Sequence, residues 1–430
     1  MRIPNGARRT ALAGATALLL TLALAPSATA HTPHHPADRG SLVLVGGALK
    51  ADNTQVYGEI IKRAGGASAR IGVITASSVP ASQDPHATDP DKCSNSACNG
   101  AYYADLFERH GAADAQWIPV DLDHIANADS DEVVRQVNSM TGFFFGGGDQ
   151  YRYVTTLLHG SAHTDSKVLA AIRTKLAAGA VVSGTSAGAQ IAAGTDMVTG
   201  GDSYQGLRDG SSPGYFDDPT RLAHLPASGF GFLHSGLIDT HTGAYGREGR
   251  ALRLAADTGH DRVYALEENT ALIVEAPRTP REKLRVLGPQ GVAILDLRNA
   301  RTRQTNSGAW SLTGARYTYL TDGDRYDPSR WSVHPSPDKH PLVPTPASPV
   351  PANTDVFYSA ANPAGAPYSF LGTARALAAT ATQRTATART FESGPRFTVT
   401  FSKQPGSTAW TADGATAHTV TGLRIAVAPE

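Results

Sequence analysis

Cysteine is almost absent from this sequence: Cys93 and Cys98 are the only two in 430 residues. That scarcity excludes a fold stapled by several disulfides and leaves one local bridge or one metal pair to consider. His86 is the only further ligand nearby, so the metal reading is the weaker one. The two thiols sit five apart in a loop rich in Ser, Asn and Asp, where a disulfide is expected to steady mainly that loop. Net charge is missing as well. Lys+Arg and Asp+Glu each number 38, so no global field attracts nucleic acid or anionic lipid. Beyond residue 30, no stretch is apolar enough to span a bilayer. A phosphate-cradling P-loop is excluded too, because no Lys-Ser/Thr follows Gly146-Gly147-Gly148.

The N-terminus carries Arg8-Arg9, then the apolar stretch Ala11 to Ala25, then Ala28-Thr29-Ala30. Charge, short apolar core and small-residue ending are the parts of a secretory signal. Residues 1–30 are therefore expected to be a cleaved signal peptide, with a secreted mature chain starting at His31 and no membrane contact afterwards. The paired arginines suit twin-arginine export, while Thr10-Ala11-Leu12 fits that signal only in part and leaves the general secretory route open.

After residue 40, apolar runs alternate with amphipathic ones. Ser41–Val45, Ile71–Thr75, Gln116–Val120, Gly142–Phe145 and Ala180–Val182 read as strands, and residues 56–64, 102–110, 132–140 and 165–178 as helices. This alternation predicts a mostly parallel sheet with helices on both faces. Ligands of such sheets sit beyond the carboxyl ends of the strands, where Gly46-Gly47, Gly146-Gly147-Gly148 and Ser186 all fall. Downstream, residues 229–233 and 237–241 read as short strands and 246–256 as a helix. Residues 263–267 with 271–274 read as a strand pair, and 285–287 with 292–296 as a closing hairpin. Seven prolines in 333–352 mark a linker. The Ala/Thr-rich segment 353–430 reads as a small appended β-rich module, with a helical patch at 374–381 and no catalytic constellation.

The most informative feature is the pentapeptide Gly184-Thr185-Ser186-Ala187-Gly188, set between a strand and the small-residue helix Ala189 to Ala193. A strand, a tight turn bearing a serine and a helix make up a nucleophile elbow. Such a turn strains the serine backbone, and a side chain at Gly184 or Gly188 would crowd strand against helix. The helix start favours negative charge, so the Ala187 N–H suits a developing oxyanion, with Gly147 or Gly148 as second donor. The competing readings are an incidental serine in a Gly-rich turn and a plain flexible glycine loop.

A serine nucleophile needs a base and an acid to orient that base. Of the 15 histidines, His31, His34 and His35 fall at the mature N-terminus, and His334 and His340 in the linker. His241, at a strand end, is the favoured base, with His234 and His260 as rivals. Asp239, Glu267 and Glu268 are the candidate acids. Arg247, Arg250 and Arg253 lie three apart on the next helix, forming either a solvated stripe or one that binds a substrate carboxylate.

Taken together and in this order, five segments resemble the cyanophycinase family of serine peptidases, which includes aspartyl dipeptidase relatives. They are Gly46-Gly47; Gly147-Gly148-Asp149-Gln150; Gly184 to Ala189; Asp239-Thr240-His241 with the arginine helix; and Glu267 to Leu272. The likeness spans roughly residues 40 to 300. It implies a three-layer α/β/α sandwich similar to class I glutamine amidotransferases, with residues 31–332 as the catalytic domain. It implies Ser186 as nucleophile, His241 as general base and Glu268 as orienting acid. Gln150, Asp239 and Thr240 would contact substrate, and Arg247 and Arg250 would bind its acidic groups. The implied substrate is a peptide or a cyanophycin-like polymer, the implied cofactor and metal content is none, and a homodimer is the oligomer to test for. The family commonly has Asp-Gln-His-Phe where this chain has Asp239-Thr240-His241-Thr242, and Tyr245 stands where a family arginine does.

Three alternatives accompany this reading: an Asp-specific peptidase of the same family, an α/β-hydrolase esterase, and a catalytically silent secreted binding protein. The esterase class places its acid before its histidine in the chain. The favoured order here is Ser, His, Glu.

Overall fold

A computed structural model describes residues 40–305, 308–346, 349–414 and 418–430. The signal-peptide reading of residues 1–30, and the expected mature start at His31, lie outside the described residues.

The apolar runs of the first half assemble into a parallel sheet. Its strands lie in the order Ser41–Val45, Val181–Thr185, Gly142–Phe145, Arg70–Ile74 and Asp114–Trp117. Alternate residues of each strand face opposite layers. Leu42, Leu44, Phe143 and Phe145 pack with Val133, Val137, Tyr153, Leu169 and Ile172 from the helices Asp131–Ser139, Gln150–Leu157 and Lys167–Ala177. On the other face, Val43, Val45, Val73 and Phe144 meet Val56, Tyr57, Ile60 and Phe107 from Thr54–Arg63 and Ser96–Arg109. Each fully buried side chain of this size stabilises by roughly 1.5–3 kcal/mol. The expected three-layer α/β/α arrangement follows from these two opposed apolar faces. Four antiparallel strands extend the sheet beyond Ser41–Val45: Ala271–Glu275, Lys283–Leu287, Arg325–Asp327 and Ser332–His334.

A second sheet runs Leu237–Asp239, Arg262–Leu266, Gly291–Asp296, Trp310–Thr321, Thr419–Pro429, Phe397–Ser402 and Thr385–Arg389. The C-terminal segment is β-rich, as expected, and carries one helix, Ser369–Ala379. Its strand Thr419–Pro429 pairs directly with Trp310–Thr321, so the boundary drawn at residue 353 runs through a continuous sheet.

Four local expectations are corrected. Residues 285–287 and 292–296 form no hairpin, because Lys283–Leu287 lies in the first sheet and Gly291–Asp296 in the second. Arg262–Leu266 and Ala271–Glu275 are not partners, because the first pairs with Gly291–Asp296 in the second sheet and the other with Lys283–Leu287 in the first. Short apolar runs specify burial but not a partner, and residues 267–270 carry the chain between sheets instead of turning it back. Residues 229–233 form no ladder. Their N–H groups instead reach the end of the elbow helix, Phe230 to Ile191 O, Leu233 to Ala192 O and Gly231 to Ala193 O. The proline-rich stretch 333–352 is also not a free spacer. Ser332–His334 forms a sheet edge, and His340–Pro341 pairs with Thr408–Thr411. The Lys339 ammonium, 5% exposed, donates to Asp324 Oδ1 at 2.7 Å, and the Asp324 side chain is 0% exposed. The same carboxylate accepts the N–H groups of Ser336 and Thr321, both at 2.9 Å.

Removing one partner of a buried pair leaves an uncompensated charge. Lys339→Met is therefore expected to cost about 3–5 kcal/mol, read as a lower denaturant midpoint at unchanged slope. A loss below about 0.5 kcal/mol, typical of an exposed linker, would contradict this account of the strap.

Candidate active site

Three consecutive carbonyls at the end of strand Ser41–Val45 gather segments that are far apart in the chain. Val45 O accepts the Ser186 N–H at 3.0 Å, Gly46 O the His241 N–H at 2.7 Å, and Gly47 O the Asn269 N–H at 2.7 Å. Gly47 has φ +117, and a Cβ there would lie 2.1 Å from His241 Cε1, so only glycine lets the imidazole lie against this turn.

Ser186 sits at φ 53, ψ −118 between Val181–Thr185 and the helix Ala187–Gln190. This is the strained elbow anticipated from the pentapeptide, with a helix that starts two residues earlier than expected. A Cβ at Gly184 would lie 2.2 Å from Gly188 O, and one at Gly188 would lie 2.0 Å from Phe145 O. Ala187 opens the helix, so its N–H has no intrahelical partner. Across from it, a Cβ on Gly147 would lie 3.3 Å from Ser186 Cβ, which makes Gly147 the glycine that abuts the serine. Gly148, at φ +146, abuts Ser77 O instead. Ser77, absent from the sequence reading, fixes this loop. Its hydroxyl donates to Gly147 O at 2.8 Å, and its carbonyl accepts from Asp149 N and Arg152 Nη1.

The Ser186 Oγ lies 2.7 Å from His241 Nε2, and His241 Nδ1 lies 2.7 Å from Glu268 Oε1. With the proton on Nδ1, the ring donates to the carboxylate and accepts the serine hydroxyl. Burial pulls the imidazole below its usual 6.5. The hydrogen bond to Glu268 opposes that shift, and the nearby charges of Arg247 and Arg250 add to it. The ring is therefore neutral near pH 7 and can take a proton. Tyr245 stacks on it at 4.9 Å and an interplanar angle of 4°. Sequence reasoning noted Tyr245 only as a replacement, and nothing in the spacing revealed the stack. The rival histidines are engaged elsewhere, His234 on Gly231 O and His260 on Asp196. Glu268 belongs to the crossing between sheets. The next residue, Asn269, has φ 54 and accepts through its side chain from Lys50 N and Asn53 Nδ2 at 3.0 and 2.8 Å.

The expected substrate shell is rearranged. Asp239 and Arg250, both buried, close on each other in a bidentate pair at 2.5 and 2.8 Å, and Arg250 also donates to Gly201 O. Neither presents a free edge to a ligand; together they pin the strand end to the helix Glu248–Thr258. Thr240 is buried, with its N–H on Asp239 and its carbonyl on Arg247 Nη1. Burial pushes Arg247 down to about 10, still charged at neutral pH, and its guanidinium lies 4.9 Å from the Tyr245 ring centre. Arg253 pairs with Asp257. Gln150, half-buried at the start of its helix, donates to Val198 O at 2.9 Å. Cys93 and Cys98 are joined as a disulfide beside Asn95, which caps the helix Ser96–Arg109. Among the described residues, no group of three or more His, Cys, Asp or Glu is arranged to hold a metal ion, and no helix is long and apolar enough to cross a membrane.

Glu267, next to Glu268, is fully buried, and burial pushes its carboxyl up to about 8. The folded chain thus holds a proton that the unfolded chain releases near 4.5. Stability from this group is full below 4.5 and is lost as pH rises toward 8. Buried Glu248 is shifted in the same direction. Glu267→Gln keeps an acceptor for the Gly243 N–H. It should flatten the fall in melting temperature between pH 5 and pH 8, and an unchanged slope would contradict the protonated state.

The sequence profile of peptidase family S51 matches residues 99–279. The chain is 29% identical over 306 residues to the cyanophycinase of Synechococcus elongatus, covering 69% of this chain and 81% of that protein. The cyanophycinase of Thermosynechococcus vestitus matches with the same figures. A solved peptidase from an acI-B1 Actinobacterium aligns with a TM-score of 0.40 and 18% identity, over 60% of this chain and 90% of that one. The chain thus resembles peptidase family S51 over residues 99–279 and is similar to cyanophycinases along about two thirds of its length, and by these sequence likenesses it is a serine-type peptidase.

Proposed function

We propose that the chain hydrolyses cyanophycin, an arginine-decorated polyaspartate, to β-Asp-Arg dipeptides. The observation that carries the proposal is the unbroken hydrogen-bond chain from Ser186 through His241 to Glu268 at the strand ends. The choice of polymer draws support from the two relatives called cyanophycinase. Ser186 Oγ attacks a main-chain carbonyl as its proton passes to His241 Nε2, and the oxyanion forms against the Ala187 and Gly147 N–H groups. The tetrahedral species collapses, the C–N bond breaks, and the imidazolium gives its proton to the leaving amine. Water then attacks the acyl-enzyme, yields its proton to Nε2 and releases the acid, restoring the serine. Glu268 holds the ring tautomer that this sequence requires. With Asp239 and Arg250 paired to each other, Tyr245, 54% exposed, is the aromatic face open to a substrate guanidinium.

Incubation with cyanophycin should release a product with the mass of β-Asp-Arg. Ser186→Ala should abolish release while leaving polymer binding and the fold intact, and a near-normal rate in that variant would remove the assignment. Activity requires neutral His241, so kcat/KM should rise with pH through a limb below 6.5. Glu268→Gln removes the carboxylate charge that raises the imidazole and fixes its tautomer. It should move that limb to lower pH and lower the rate by roughly 10⁴-fold.

We also propose export. The mature protein recovered from culture medium should begin at His31 by intact mass, and recovery only of the full-length chain inside cells would refute it.

A further inference from the structure

The turn after His241 is held by residues of the C-terminal segment, outside the stretch 99–279 that matches the family. The Tyr368 N–H donates to Gly243 O at 2.6 Å, while the Gly243 N–H donates to Glu267 Oε2 at 2.8 Å. Gly243 is therefore gripped from both sides: a Cβ there would lie 2.4 Å from Tyr368 Cδ1 and 3.0 Å from Glu267 Oε1. Three residues on, Gly246 has φ +60, and a Cβ there would lie 1.7 Å from Phe357 O. The two backbones meet with no room for any side chain. Phe357 is anchored by Phe370 at 6.0 Å, and Phe370 by Phe401 and Tyr317 at 4.6 and 5.1 Å. The chain of contacts thus runs from the core of the second sheet to the turn beyond the base.

His241 and Tyr368 both have positive φ, at 54 and 60. Non-glycine residues persist there only where their surroundings over-determine them. From this geometry we infer that Tyr368 and Phe357 are positioning residues for His241, so that the C-terminal segment is a working part of the peptidase and not an accessory to it. The inference rests on His241 as the base proposed above. The segment fixes the turn Gly243–Gly246, the turn fixes the backbone of His241, and the ring is thereby kept between Gly47 and Ser186. Truncating the segment would strip the strands Thr385–Arg389, Phe397–Ser402 and Thr419–Pro429 from the second sheet, so the test uses point variants of the full chain.

Tyr368→Ala removes the ring under Gly243. It should lower kcat by roughly 10- to 100-fold with KM within about twofold, the signature of a displaced catalytic group. Tyr368→Phe keeps the ring and should restore wild-type kcat. Val399→Ala opens a cavity in the same C-terminal core, away from the turn, and should lower the melting temperature without changing kcat. Phe357→Leu tests the second contact and replaces Tyr368→Ala should that variant not fold. A substrate-independent reading comes from the His241 Cε1–H resonance, assigned by its loss in His241→Ala. In Tyr368→Ala its titration should move up toward 6.5 as the ring gains solvent. A kcat within twofold of wild type, together with an unmoved titration, would overturn the inference. An unmoved titration would do the same in a chain that proves inactive on cyanophycin, so failure of the proposed function and failure of the positioning role are separable.

Discussion

Everything at this site depends on one short row of carbonyls, Val45 to Gly47. The buried strand before it is fixed on both edges, by Val181–Thr185 on one side and Ala271–Glu275 on the other. Its position is therefore set by the sheet and not by the loops it serves. Where the strand ends, each carbonyl takes an N–H from a different segment, those of Ser186, His241 and Asn269. Three groups separated by 55 and 27 residues acquire a common frame from adjacent peptide units. Rigid backbone, more than side-chain packing, brings hydroxyl, imidazole and carboxylate into line.

Adjacent glutamates illustrate how environment divides one chemistry into two roles. Glu268, 27% exposed, faces the imidazole and serves as its acceptor. Glu267 points the other way into the second core, where burial keeps its proton on and its Oε2 receives the Gly243 N–H. One carboxylate accepts from the imidazole and the other from the turn after it. The reversal arises where the strand Arg262–Leu266 gives way to a turn at Glu268 and Asn269, so the two side chains leave in different directions. The same pair of positions thus serves the site and its support without any additional element.

The parts of this arrangement that the sequence made legible are those written in local pattern. The elbow was readable because strand, Gly-x-Ser-x-Gly and helix each constrain a few consecutive residues. The parallel sheet was readable because strands buried on both faces are continuously apolar. Partner choice was not. Arg262–Leu266 and Ala271–Glu275 look alike as sequences, and only the turn conformation at Asn269 separates them into two sheets. The pairing of Asp239 with Arg250 was not readable for a related reason. A carboxylate and a guanidinium near a histidine paired with a serine suit a substrate as well as each other, and burial, which decides between those fates, is a property of the assembled fold. Tyr245 carried no periodic signal at all, since its stack on His241 exists only because the turn folds back.

The C-terminal segment completes this logic. An imidazole on a left-handed residue, beyond the end of a three-residue strand, has little local support of its own. The pair Asp239–Arg250 secures the residue before Thr240, and Gly46 O secures the His241 N–H, but both act on the N-terminal side of the ring. On its C-terminal side the chain turns through glycines at 243 and 246, whose freedom would let the ring leave Ser186. Those glycines are required for close approach to Tyr368 and Phe357, so the feature that permits contact also creates the need for it. A turn of this kind is stable only when something fills the space it leaves, and here the filling comes from a segment more than a hundred residues downstream that shares the second sheet with the strand leading into His241.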